Sequence, residues 1–87
     1  MGESEEMQVG KVTHYFSKIG VAIIEVTNGS VKVGDAIHIK GRTTDFWQRV
    51  DSMQIDYENV QIAEPGQNVG VKAERHTSQN DLVFKKI

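Results

Sequence analysis

Apolar and polar positions alternate most regularly from Val21 to Lys40, VAIIEVTNGSVKVGDAIHIK, and this run predicts the middle of a compact β domain. Val21 to Val26 is apolar and β-branched, and Asn28-Gly29 is a dipeptide suited to the positive φ of a tight reversal. Val31 and Val33 alternate with Ser30 and Lys32. Gly34-Asp35 makes a second turn, after which Ile37 and Ile39 alternate with His38 and Lys40.

The flanking sequence extends the same pattern. Gln8 to Phe16 reads as a first strand with Val9 and Val12 as apolar points, and their odd spacing predicts a bulge at Gly10-Lys11. Gly41 to Asp45 is a polar loop. Phe46 to Asp56 reads as one long strand whose apolar positions, Phe46, Val50, Met53 and Ile55, change parity midway. A bulge would make it a bent strand serving two parts of a closed sheet. Glu64-Pro65-Gly66-Gln67 fits a type II turn, since Pro presets φ and Gly accepts φ > 0. Asn68 to Ala73 is a short strand, with Gly70 expected to permit close approach of a neighbour. Asp81 to Ile87 closes the chain, with Leu82, Phe84 and Ile87 as its apolar points. No window carries a helical period with start and stop signals. About six short strands with turn chemistry between them predict an all-β sandwich or barrel, and closure is preferred because it removes exposed edges.

Composition narrows the class. At 87 residues the chain is long enough for one modest core. Residues 1–7 are expected to form a flexible acidic tail, and residues 8–87 a single domain. No apolar run approaches the ~18–20 residues needed to span a bilayer, and MGESEEM lacks the basic and apolar start of a secretory signal. A cytoplasmic location is expected. The sequence has no cysteine, which removes thiol chemistry and zinc–thiolate sites. The net charge of −2 owes much to Glu3, Glu5 and Glu6. The remainder carries all ten Lys and Arg against nine Asp and Glu, too even a balance for a dedicated nucleic-acid binder.

Candidate chemistry is sparse. His14, His38 and His76 fall on different elements without ligand spacing, so no metal site is expected. Carboxylates such as Glu25, Asp35, Asp51, Asp56 and Asp81 lie on strands or beside turns, and no nucleophile has an adjacent base. No catalytic residues, no cofactor and no enzyme activity are expected. There is no phosphate-binding G-x-x-x-x-G-K-[ST] run, hence no GTP site. The most suggestive cluster is Lys40, Arg42, Phe46, Trp47 and Arg49. Basic side chains can track phosphates while an exposed aromatic stacks on a base. Against this stands the reading of one aromatic in the core and ordinary solvated charges, diluted by Asp45 and Asp51.

In order, Gly10-Lys11-Val12, the run from Gly29 to Gly41, the segment from Ala63 to Val71, and Asp81-Leu82-Val83-Phe84 resemble the second domain of elongation-factor-Tu-type translational GTPases. Asn80 stands where that family usually has glycine. The resemblance implies a small closed six-stranded Greek-key barrel, with Gly29, Gly34, Asp35, Pro65, Gly66 and Gly70 as turn and packing residues. It further implies a barrel able to dock on RNA or protein, hence a translation-associated accessory protein docking on ribosome, rRNA or tRNA. The basic and aromatic cluster, not the resemblance, supplies the expected nucleic-acid-binding residues Lys40, Arg42, Trp47 and Arg49. The alternative is a protein-interaction module docking on a separately encoded partner.

Overall fold

The computed structural model describes residues 5–86; residues 1–4 of the expected tail, and Ile87, lie outside the described residues. Ten strands form: β1 (Glu6–Phe16), β2 (Val21–Val26), β3 (Val31–Lys32), β4 (Ala36–Lys40), β5 (Asp45–Arg49), β6 (Met53–Ile55), β7 (Glu58–Val60), β8 (Ile62–Ala63), β9 (Asn68–Lys72) and β10 (Leu82–Lys86). An antiparallel sheet of eight runs β5-β4-β10-β1-β2-β9-β6-β7, and β3 pairs with β8 in a small second sheet.

The all-β class stands, but the closed six-stranded barrel does not. The large sheet has two ends, β5 and β7, and no backbone ladder joins them. The expected single strand from Phe46 to Asp56 is broken at Val50–Ser52. There Val50 is buried and its N–H donates to the Asp35 carbonyl at 2.8 Å. The chain thus leaves one edge of the sheet at β5 and re-enters one strand from the other edge at β6. The sheet must therefore curl around its core without closing. Gln48 instead ties β5 to the end of β9. Its amide nitrogen donates to the Lys72 carbonyl at 2.9 Å, and its amide oxygen accepts the Glu74 N–H at 2.8 Å. This buried amide, satisfied on both sides, holds the β5 edge against the β9 end of the sheet.

β1 is the spine of the sheet, pairing with β10 along its first half and with β2 along its second. Its register shifts between Gln8 and Gly10 against β10 and between Val12 and His14 against β2, which lets both Val9 and Val12 point inward. At Gly10 a Cβ would run into the backbone carbonyl of Glu25, so the strand tolerates only glycine there. The strand begins at Glu6, ahead of the expected Gln8, because Glu6 and Met7 pair with Lys86 and Lys85.

Inward positions form one core: Ile24 and Val26 from β2, Ile37 and Ile39 from β4, Met53 from β6, Val69 and Val71 from β9, with Val31 and Ala63 covering one end. Each buried aliphatic side chain contributes about 1.5–3 kcal/mol relative to exposure. In β10 the core residue is Val83, whereas Leu82 and Phe84 face outward. The strand alternates, and a core contact at Val83 fixes the parity of its neighbours. Gly29, Gly34 and Gly66 adopt positive φ, and the Gln67 N–H donates to Glu64 across Pro65-Gly66 at 3.0 Å. The Asp35 carboxylate accepts the Lys32 N–H and an ion pair from Lys85, both under 3 Å.

Candidate functional site

Two outward faces of the curled sheet carry features that the core does not explain. The first spans β1, β10, β4 and β5. Inward Ile37 and Ile39 force Ala36, His38 and Lys40 outward on β4. Buried Phe46 and Gln48 do the same for Asp45, Trp47 and Arg49 on β5. Cross-strand register then aligns Gln8, Phe84, His38 and Trp47 in one row. His38 stacks on Trp47 with ring centroids 4.7 Å apart and meets Phe84 at 6.1 Å. Trp47 remains 38% exposed, and the Lys86 ammonium stands 5.4 Å from its ring centroid.

His38 is the hub of this row. Its side chain is only 12% exposed, with Nδ1 2.8 Å from Glu6 Oε1 and Nε2 2.5 Å from Asp45 Oδ1. Carboxylates accept at both ring nitrogens, so both must carry protons, and the ring is an imidazolium. Burial acts to lower its pKa, but the hydrogen bonds and charges of Asp45 and Glu6 outweigh it and raise the value above the ordinary 6.5. Asp45 is held below the usual aspartate range, first by its hydrogen bond to His38.

Of the residues expected to bind nucleic acid, the structure brings together Lys40, Trp47 and Arg49 on this outer face. Arg42 lies instead in the β4–β5 turn, where it lines a polar concavity with Thr43, Ser78 and Asn80. Phe46 belongs to the core, and Arg75 stacks over its ring at 5.8 Å. Sequence reasoning missed Glu6, His38, Phe84 and Lys86. Pairing Lys40 with Asp45 across the polar turn would have placed His38 opposite Trp47, but nothing local tied Glu6 to a histidine 32 positions away.

The second face lies over β2, β9 and β6. Val21, Ile23, Phe16, Ile19 and Tyr57 line a groove of about 410 Å³ whose floor is Gly70. A Cβ at Gly70 would sit 3.4 Å from Val21 and 3.6 Å from Ile23, ordinary contact distances, so no tight strand approach demands this glycine. Its missing side chain opens the groove. Asp56 and Tyr57 form the β6–β7 reversal with φ of 51° and 67°. A bulky aromatic at positive φ is strained, and Tyr57 is 96% exposed, so packing does not offset that strain. Among the described residues, no group of three or more His, Asp or Glu could hold a metal ion, and no helix is long and apolar enough to cross a membrane.

No known family model matches the chain. It is 38% identical over 80 residues to an uncharacterized protease of Methanocaldococcus jannaschii, covering 91% of this chain and 19% of that protein. It is 30% identical over 82 residues to a collagenase of Porphyromonas gingivalis, covering 93% of this chain and 20% of the relative. The chain therefore spans about a fifth of the length of the curated relatives it matches. Its fold matches the C-terminal domain of a candidate U32 peptidase of Geobacillus thermoleovorans, with a TM-score of 0.83 at 22% identity over 92% of this chain and 91% of that one. The selenomethionine variant of the same domain gives a TM-score of 0.85 at 21% identity, covering 91% and 99%.

These findings overturn the resemblance to the second domain of translational GTPases and the translation-accessory role drawn from it. They also run against the expectation of no enzyme activity, because the relatives are named as a protease and a collagenase. The physical reason is that the motifs behind the resemblance encode turns and strand packing. A glycine before an aspartate or inside a strand specifies a curled antiparallel sheet whatever chemistry that sheet serves.

Proposed function

We propose that the chain serves a peptidase of the U32 kind as its C-terminal β domain, docking on the peptidase body and presenting polypeptide to it. The observation that carries this reading is the 38% identity to a protein named as a protease, running through 91% of the chain. The fold match to a U32 C-terminal domain supports it independently. The groove over β2, β9 and β6 is the surface suited to the peptidase body. It is the more apolar of the two outer faces, with Phe16 and Ile19 exposed at its rim. Interfaces between domains that stay together bury apolar surface of this kind. We keep the cytoplasm as its compartment, supported by a cysteine-free sequence.

The test is a chimera. This chain replaces the matched segment of the P. gingivalis collagenase, and collagen cleavage is compared with the parent and with a version lacking the segment. Activity well above the truncated version is expected. Gly70→Leu, which fills the groove floor, should remove that gain while leaving the circular dichroism of the isolated chain unchanged. A chimera no better than the truncation would sink the proposal.

A further inference from the structure

We propose that the outer face of β10, β4 and β5 is a docking surface for an acidic polypeptide segment, with Trp47 as its apolar anchor and His38 as the group that keeps the face cationic. Glu6 and Asp45 are the carboxylates that would repel such a ligand, and each is engaged by one nitrogen of His38. Cations are thereby left in excess around the indole. The Lys86 ammonium lies over the Trp47 ring, Lys40 sits opposite Asp45, and Arg49, 72% exposed, touches Asp51 only at 3.8 Å. Neither Lys40 nor Lys86 forms an ion pair among the described residues.

The charged groups around His38 come from every strand of this face: Glu6 and Lys11 from β1, Lys86 from β10, Asp45 and Arg49 from β5 (with Asp51 just beyond it), and Lys40 on its own strand. With His38 protonated, five cations, Lys11 among them, face three carboxylates. Without that proton the excess falls to one, Glu6 and Asp45 lose their cationic partner, and the complementarity to an acidic ligand is weakened. The small area and single aromatic anchor suit a transient ligand better than a permanent interface. A polypeptide fits better than a nucleic acid. The chain carries a net charge of −2, and carboxylates interrupt the cations where a continuous phosphate track would run. That the segment belongs to a peptidase substrate rests on the proposed function; the binding itself does not.

The experiment uses the full chain and a fluorescein-labelled, Glu-rich peptide with one central leucine, read by anisotropy at low ionic strength. Oligothymidylate of matched charge is the competitor class. Trp47 is the only tryptophan, so its emission reports occupancy of the face directly. Affinity at about pH 6 should exceed that at about pH 9, where imidazole is neutral and lysine still charged, by roughly fivefold or more. Lys86→Glu should weaken binding severalfold at the lower pH. His38→Gln should give weak, pH-independent binding with an unchanged circular dichroism spectrum. Peptide affinity indifferent to Lys86→Glu, or equal at both pH values, would overturn the proposal. So would the absence of peptide binding, or tighter binding of oligothymidylate than of peptide. Failure of the peptidase reading would appear in the chimera alone and leave these binding results standing.

Discussion

The two outer faces of this sheet dispose of their polar and aromatic groups in opposite ways. On β10, β4 and β5 the rings and carboxylates are paired while cations are left over: Trp47 stacks on His38, His38 bridges two carboxylates, and Lys86 covers the indole. On β2, β9 and β6 Ile19 stands out in solvent, Phe16 meets His14 with ring centroids 4.4 Å apart, and Tyr57 is held at positive φ with almost its whole surface in solvent. The first face therefore contributes to the stability of the domain, whereas the second costs stability that nothing in the domain offsets. A surface that stabilises its own sheet can be tuned by pH. A surface that carries uncompensated strain points to a contact outside the domain.

The largest effect is expected where the two halves meet. Gln48→Leu keeps the volume of a buried side chain but leaves the Lys72 carbonyl and the Glu74 N–H without their partners. A loss of about 2–4 kcal/mol is expected, which for a domain of this size lowers Tm by roughly 10–20 °C. Thermal unfolding followed by circular dichroism measures it. If the variant melts with the parent, the sheet is held in its curl by the Val50–Ser52 connection alone, and the two faces are mechanically independent of Gln48.

How much of this was legible beforehand can be traced residue by residue. The alternation at Ile37 and Ile39 and the turn residues around Gly34 and Gly66 declare strands and reversals, because they act within a few residues of themselves. The break at Val50 was read as a bulge. A parity change has the same signature whether a strand bends or stops, and what decides is the bond from Val50 to distant Asp35. The β6–β7 hairpin escaped notice because Asp56-Tyr57 lacks the glycine or asparagine that positive φ favours. Leu82 and Phe84 read as the apolar points of a strand whose core residue is Val83, a choice set by pairing with β1 and β4. Of the candidate site, Lys40, Trp47 and Arg49 could be gathered from one segment. Glu6, Phe84 and Lys86 reach the same face only through the sheet order.

A smaller and opposite effect is expected on the apolar face. Tyr57→Gly removes the Cβ that makes φ of 67° unfavourable and forfeits little packing. The domain should become more stable by about 0.5–1 kcal/mol, the gain being trimmed by the extra unfolded-state freedom of glycine. Ile19→Ser, at an exposed rim position, should stay within about 0.5 kcal/mol of the parent. Both variants should lose collagen cleavage in the chimera despite intact stability. A Tyr57→Gly domain less stable than the parent would show that the tyrosine packs in solution, and the contrast between the faces would narrow.

The smallest effect is the pH dependence of the charged face. The folded-state pKa of His38 is raised, so its contribution to stability is fully present below the unfolded value of about 6.5 and is lost as pH rises through the folded value. Asp45 is shifted down, so its contribution is present above the unfolded value of about 3.9 and is lost as pH falls through the folded one. Together they predict a stability maximum between roughly pH 4 and pH 6.5, with the alkaline shoulder owed to His38. The size is limited because Asp45 is well exposed and salt screens it. Urea midpoints measured across that range should fall on the alkaline side for the parent, flatten in His38→Gln, and fall at lower pH in Glu6→Gln, which keeps an acceptor but removes one of the two negative charges that raise the imidazole. Tyr57→Gly should leave the shape of the profile unchanged, since no titrating partner of His38 lies on its face. An alkaline shoulder that survives in His38→Gln would assign the titration to another group and break the contrast at its charged end.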